Sequence, residues 1–229
     1  MAAAQSPAFD FHSVLTDARR VLTNPTGFYR DMPTAGGFTE PLLFVVVMAI
    51  ATGIVGAFLS LFGGSQIGTV RLGFASIILL PILATVVSFI SAAVLFLIWK
   101  LMGSERSYEA SYRCVAYASA IYPVVAIVGV IPYLATIIGM AWLGYLMIEA
   151  SVLVHGQDRR TATIVIGLFA VLLMLSNIGS ERVARKLEQE IRHFSHYMDE
   201  WRNLPPEEAG RRMGEFLRGL EDGMHREQP

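Results

Sequence analysis

Along this chain, apolar residues fall in long blocks and polar residues gather at their edges. Five blocks stand out, at 41–63, 74–102, 112–129, 131–154 and 161–178. Each is close to the about 20 residues that a helix rising 1.5 Å per residue needs to cross roughly 30 Å of hydrocarbon. Apolar positions do not alternate within the blocks, which excludes a membrane barrel. Only ten charged residues lie between 41 and 178, and the other 27 of 37 sit in the two ends. A soluble core of this size would interleave polar faces at helical or strand spacing. The expected fold is therefore all-α: a polytopic membrane protein with five transmembrane helices, an N-terminal amphipathic helix and a C-terminal amphipathic helical tail.

The expected organisation is an arm over 1–40, a transmembrane domain over 41–178 and a charged tail over 179–229. In the arm, Phe11, Val14, Leu15, Ala18, Val21 and Leu22 follow i, i+3, i+4 spacing, and Arg19 and Arg20 fall on or beside the other face. Asp10 or Ser13 is placed to cap this helix, and Asn24-Pro25-Thr26-Gly27 to end it. Such a helix either lies on the inner membrane face or packs on the bundle, and the same amphipathicity serves both. Pro25, Phe28, Tyr29 and Arg30 then read as interfacial anchors. Within the spans, Pro81 is expected to kink or begin the second, and Pro123 to distort the third. The uncharged segment 129–132 reads as a tight hairpin, and the glycine-rich 63–73 as a loop. In the tail, Val183, Leu187, Ile191, Phe194, Met198 and Trp201 form a heptad-like stripe, broken by Leu204-Pro205-Pro206, and a second stripe follows. Those stripes are expected to bury on each other, on a second protomer or on the membrane surface, and the tail is the expected site for protein partners.

Hydrophobic residues make up 54% of the chain and the net charge is −1, so no bulk attraction to nucleic acid is expected. Cys114 is the only cysteine, which excludes an internal disulfide and a cysteine metal cluster. No cleavable signal peptide is apparent at the start. Basic residues alternate between the connecting segments: Arg19, Arg20 and Arg30, then Arg71, then Lys100, Arg106 and Arg113, then none, then Arg159 and Arg160. The positive-inside rule puts the N-terminus in the cytoplasm, and five spans put the tail outside. A preference for arginine over lysine, with abundant Ala, Gly and Val, suggests a bacterial inner membrane.

No metalloprotease, nucleophile-elbow, phosphate-loop or dinucleotide motif is present, so neither a catalytic residue nor a cofactor is expected. His193 and His196 lie three apart but lack a third ligand, so no metal site is expected. Glu149 is the sharpest residue, an ionisable group inside the fourth apolar block. Arg113 lies eighteen residues before Ile131 and Glu149 eighteen after it. In an antiparallel helix pair turning there, the two are level and expected to form an intramembrane pair. Small residues at spacing four (Ala49, Gly53 and Ala57; Gly56 and Ser60; Ala116 and Ala120) favour close helix approach.

As a whole, the chain resembles the YIP1 family of five-span membrane proteins. The resemblance runs from about Leu22 to Leu175. It rests on Leu22-Thr23-Asn24-Pro25-Thr26-Gly27-Phe28-Tyr29-Arg30-Asp31-Met32 ahead of Pro41-Leu42-Leu43-Phe44. It rests also on the helix-break motif within Tyr117-Ala118-Ser119-Ala120-Ile121-Tyr122-Pro123, and on Trp142, Gly144 and Tyr145 through Glu149. What it implies is a cytoplasmic N-terminus, a compact helical domain and self-association, so a homo-oligomer in the lipid bilayer. The function expected is a non-enzymatic scaffold of membrane-organising or trafficking type. The alternative is a small transporter or channel using Glu149.

Overall fold

The computed structural model describes residues 11–62, 67–129, 131 and 133–202, with a few isolated positions between 205 and 218. Every regular element among them is a helix. In order these are α1 (Phe11–Thr23), α2 (Pro25–Asp31), α3 (Thr39–Phe62), α4 (Ile67–Leu101), α5 (Tyr108–Ala118), α6 (Ile121–Val128), α7 (Leu134–Leu153) and α8 (Arg159–Arg202). Five candidate membrane spans follow: Thr39–Leu61, Phe74–Leu101, Tyr108–Val128, Leu134–Leu153 and Arg159–Ser180. The chain divides into two compact units, Met1–Ile178 and Gly179–Pro229.

The elements begin and end for local reasons. Asn24 caps α2 by accepting the Gly27 N–H at 3.0 Å, with Pro25 in the first turn where a missing N–H costs nothing. Ser107 caps α5 in the same way through the Ala110 N–H at 3.3 Å. Ser13 lies within α1 rather than before it, and Asp10 lies outside the described residues.

Two boundaries differ from the sequence reading, and the distortion expected at Pro123 is present. Pro81 neither begins α4 nor ends it; the helix starts at Ile67, so most of the expected 63–73 loop is helical. Positions 63–66 lie outside the described residues, as do Val130 and Pro132 of the hairpin. The third span starts at Tyr108, four residues before the apolar block, because its first turn is polar but buried in protein. It breaks at Ser119–Ala120, between α5 and α6. Pro123 has no N–H to give to the Ser119 carbonyl four residues back, and its ring crowds that oxygen. The Tyr122 N–H takes the carbonyl instead at 3.0 Å, while Ser119 N bonds Ala116 O at 3.1 Å and Ala120 N bonds Tyr117 O at 3.2 Å. Three tighter-wound bonds replace the ordinary ladder, and Pro123 sits in the first turn of α6.

Span three is the centre of the bundle: 56% of its most apolar stretch is buried, against 11% for the second and fifth spans. Its residues Cys114, Ala116, Tyr117, Ala118 and Ala120 join Phe44, Trp99, Leu146 and Ile166 in the core. The starts of α3, α5 and α8 and the ends of α4 and α7 lie at one end of the bundle, together with α1 and α2, as their mutual bonds show. The other end is held by close approach at glycines. A Cβ on Gly53 would lie 2.8 Å from the Ile77 Cα, and one on Gly139 would lie 3.0 Å from Val125. Gly53 lets the backbones of α3 and α4 meet without an intervening side chain, and Gly139 leaves room for the Val125 side chain where α6 meets α7.

Candidate functional site

The polar end of the bundle gathers most of the ionisable residues that the spans carry. Two of them, Arg113 and Glu149, are among the largest fully buried side chains of the protein. Charged groups are tolerated at such depth only when paired and hydrogen-bonded.

Arg113 lies one turn after Glu109 on α5, and its side chain is 0% exposed. Its Nη2 donates to the Gly37 carbonyl at 2.9 Å. Its Nε lies 3.5 Å from Glu109 Oε1, and its Nη1 lies 3.6 Å from Glu40 Oε2. Glu109 Oε1 also accepts the Gly37 N–H at 2.6 Å. The connector between α2 and α3 is thus clasped at both backbone groups of Gly37. Only glycine fits beside it: Gly36 has φ +133° and a Cβ there would meet Arg113 Nη2 at 2.9 Å.

Glu149, on the last turns of α7, faces a different partner from the one its spacing suggested. Arg159 Nη1 and Nη2 reach its two carboxylate oxygens at 2.6 and 3.2 Å, and the Thr26 hydroxyl donates to Oε2 at 3.1 Å. The expected Arg113–Glu149 pair is therefore not formed. The third span breaks at Ser119–Ala120, so residues equally far from the turn are not level, and Arg113 turns toward the α2–α3 connector. The short connector after α7, with Gly156 at φ +66°, reverses the chain and brings Arg159 back over Glu149. A carboxylate from one span, a guanidinium from the next and a hydroxyl from the arm share one site.

A third cluster had no sequence signal. Trp99 at the end of α4 donates from Nε1 to Ser151 Oγ at 2.7 Å and stacks on His155, with ring centroids 3.8 Å apart. His155 Nδ1 lies 2.8 Å from Ser104 Oγ, which also accepts the Arg106 N–H at 3.3 Å. Arg106 Nε donates to the Val154 carbonyl at 2.9 Å. Either atom can be the donor of the Ser104–His155 bond, and His155 Nε2 is buried with no hydrogen-bond partner. Burial, with Arg106 and Lys100 adding repulsion, pushes the imidazole pKa down to about 3. His155 is thus an uncharged ring joining the α4–α5 connector to the end of α7.

The arm is part of the bundle rather than an appendage. Val14, Ala18 and Val21 of α1 are buried in the main core, as are Phe28 and Tyr29 of α2. Phe28 packs edge-on against Tyr117 at 5.1 Å, as does Phe44 at 4.9 Å. The Tyr29 hydroxyl donates to the Cys114 carbonyl at 3.2 Å, and burial raises its pKa well above the usual value. Pro25 is buried as well, so of the four expected anchors only Arg30 is exposed. The aromatic pair fills the groove beside α5 because Ala110, Cys114 and Ala118 leave room there. Of the helix-break motif, Tyr117 is core, Tyr122 is 43% exposed and Pro123 is half-buried. The side chains of His193, His196 and most of the tail stripes lie outside the described residues.

For the Arg113 and Glu149 clusters a signal was present but diffuse. Gly36-Gly37 ahead of a span, and an arginine ten residues after Glu149 across a glycine, both mark places where backbone or side chain folds back. Among the described residues no three His, Cys, Asp or Glu side chains come together as metal ligands. What the arrangement does chemically is to neutralise charge at the bundle end and fasten the arm to the third and fourth spans.

Neither the curated proteins nor the solved structures contain a match to this chain. The Yip1 domain matches residues 19–179, from within α1 to the end of the fifth span. With more than half of its length in that match, this five-span helical chain belongs to the Yip1 family.

Proposed function

We propose that this protein is a non-enzymatic scaffold of a bacterial inner membrane, organising lipid or recruiting partners, with its arm on the cytoplasmic side. One observation carries the reading. The ionisable side chains most deeply buried in the spans, Arg113 and Glu149, each hold a group of another element, Gly37 and Arg159, although Arg113 Nε and Nη1 make no hydrogen bond of their own. A catalyst or carrier needs such groups free to meet a substrate. The orientation is supported by charge. Arg19, Arg20, Arg30, Lys100, Arg106, Arg113, Arg159 and Arg160 all belong to the end that carries the arm. The 179–229 tail is the segment offered to protein partners.

Chemical crosslinking in native membranes tests the scaffold role. A self-crosslinked species, or a fixed heteromeric one, is expected; a homogeneous monomer at every crosslinker concentration overturns it. Reporter fusions at each terminus test the orientation, with cytoplasmic activity expected at the start only. The transporter alternative makes a separate demand: liposome flux that Glu149→Gln abolishes while the fold survives.

A further inference from the structure

The two accounts of α1 given by its sequence apply to different edges of the same helix. Val14, Ala18 and Val21 are 7%, 9% and 0% exposed and belong to the core. Phe11 and Leu15, one turn apart, are 54% and 51% exposed. Arg19 continues that edge by a further turn, is exposed, and has no carboxylate within ion-pair distance among the described residues. Its neighbour Arg20, by contrast, is taken by Asp31 at 2.7 Å.

We propose that the Phe11–Leu15 edge of α1, with Arg19, seats in the headgroup layer of an anionic bilayer, so that the arm grips protein with one edge and lipid with the other. Bulky apolar side chains beside a basic one are the pattern of helices that lie in a membrane interface. A second copy of the chain fits less well. Two half-exposed side chains offer on the order of 200 Å², far short of the about 1,200 Å² of a stable protein contact. A bilayer needs no such minimum, because the spans already hold the arm beside it. Arg19 adds attraction to lipid phosphate, roughly 1 kcal/mol for a basic residue near an anionic surface, or about fivefold in local lipid occupancy. The proposal rests on the membrane-spanning bundle and not on the scaffold role.

The test uses the full chain with one added cysteine at position 11, 15 or 16, labelled with an environment-sensitive fluorophore in phosphatidylcholine–phosphatidylglycerol vesicles. Cys114 is fully buried and stays unlabelled while the protein is folded, which doubles as a fold check. Thr16 is exposed and projects from another side of the helix. Labels at 11 and 15 are expected to be quenched at least twofold more by headgroup-proximal brominated lipid than the label at 16, which iodide in the water quenches instead. Equal iodide access at all three positions overturns the proposal. So does protection at 11 and 15 that disappears on dilution into excess lipid, the mark of a second copy. Because a label can itself enter lipid, hydrogen–deuterium exchange of unlabelled protein in nanodiscs provides the second measurement. Phe11→Ser with Leu15→Ser is expected to raise exchange in α1 about threefold or more, with α3 to α7 unchanged. Unchanged exchange in α1 overturns the proposal too. Phosphatidylglycerol is expected to slow α1 exchange in the native chain but not in Arg19→Gln, and equal slowing in both removes Arg19 from the site.

Discussion

The two ends of the membrane bundle are built on opposite physics. At the end carrying the arm, helices are joined through polar bridges: Arg113 to Gly37 and Glu109, Arg159 and Thr26 to Glu149, Trp99 to Ser151. At the other end they are joined by omitting side chains, with Gly53 against Ile77 and Gly139 against Val125. The first kind of joint tolerates an aqueous boundary and specifies partners by charge. The second suits the hydrocarbon, where apolar burial provides no drive for association and close packing must replace it. The arm therefore docks where directional bonds are available.

The largest difference between the ends comes from stranding a buried charge. In Glu109→Gln, the Arg113 guanidinium stays fully enclosed and loses its nearer carboxylate, a change that costs about 3–5 kcal/mol in comparable buried pairs. Glu40→Gln removes a carboxylate that is 60% exposed and 3.6 Å away, and is expected to cost under about 1 kcal/mol. Reversible unfolding in mixed micelles measures both. Equal losses would mean that Arg113 is solvated in practice.

The other end is broken by adding one carbon. Gly53→Ala places a methyl 2.8 Å from the Ile77 Cα, backbone that cannot move aside, so α3 and α4 must separate at about 1–3 kcal/mol. Gly56→Ala on the same helix meets only Ser76 Oγ at 3.8 Å and keeps the helix-forming gain of alanine. The first is expected to lower the unfolding midpoint and the second to leave or raise it. A midpoint for Gly53→Ala that matches Gly56→Ala would show that the close approach is absent.

How much of this contrast was legible in the sequence depends on the distance over which each feature acts. Span positions were legible because 27 of 37 charges lie outside residues 41–178, a segregation that the bilayer enforces on every residue at once. The core edge of α1 was legible from its period. The partner of Glu149 was not, because counting residues along two helices cannot register a break at Ser119–Ala120 or a reversal at Gly156. The anchors were misread because Phe28 and Tyr29 beside an arginine look the same whether their rings meet lipid or Tyr117. The His155 cluster left no trace, since one histidine, two serines and a tryptophan have no period of their own.

That histidine gives the polar end a dependence on pH that the glycine end lacks. Its folded pKa, about 3, lies below the ordinary value of 6.5, so the unfolded chain binds the proton more readily. Stability from this group is complete above pH 6.5 and is lost as pH falls from 6.5 toward 3. Between pH 6.5 and 5, where ordinary carboxylates remain ionised, the loss is about 2 kcal/mol. Unfolding midpoints measured across that window should fall with acidity in the native chain and stay level in His155→Gln. A slope of equal size in His155→Gln would assign the effect to another group.

The smallest expected effect separates the arm from the spans within the polar end. Thr26 contributes one hydroxyl to Glu149 at 3.1 Å, while Arg159 holds both carboxylate oxygens. Thr26→Val keeps the shape of the side chain and deletes only that donor, so the global cost should be about 1 kcal/mol. The local consequence should be out of proportion to it, because this is the polar link from α2 to the end of α7. Hydrogen exchange in residues 25–31 is expected to rise while that of α7 and α8 stays fixed by the Arg159 pair. If exchange rose equally in α7, the hydroxyl would be supporting the carboxylate itself, and the arm would be a structural element of the spans rather than a part fastened onto them.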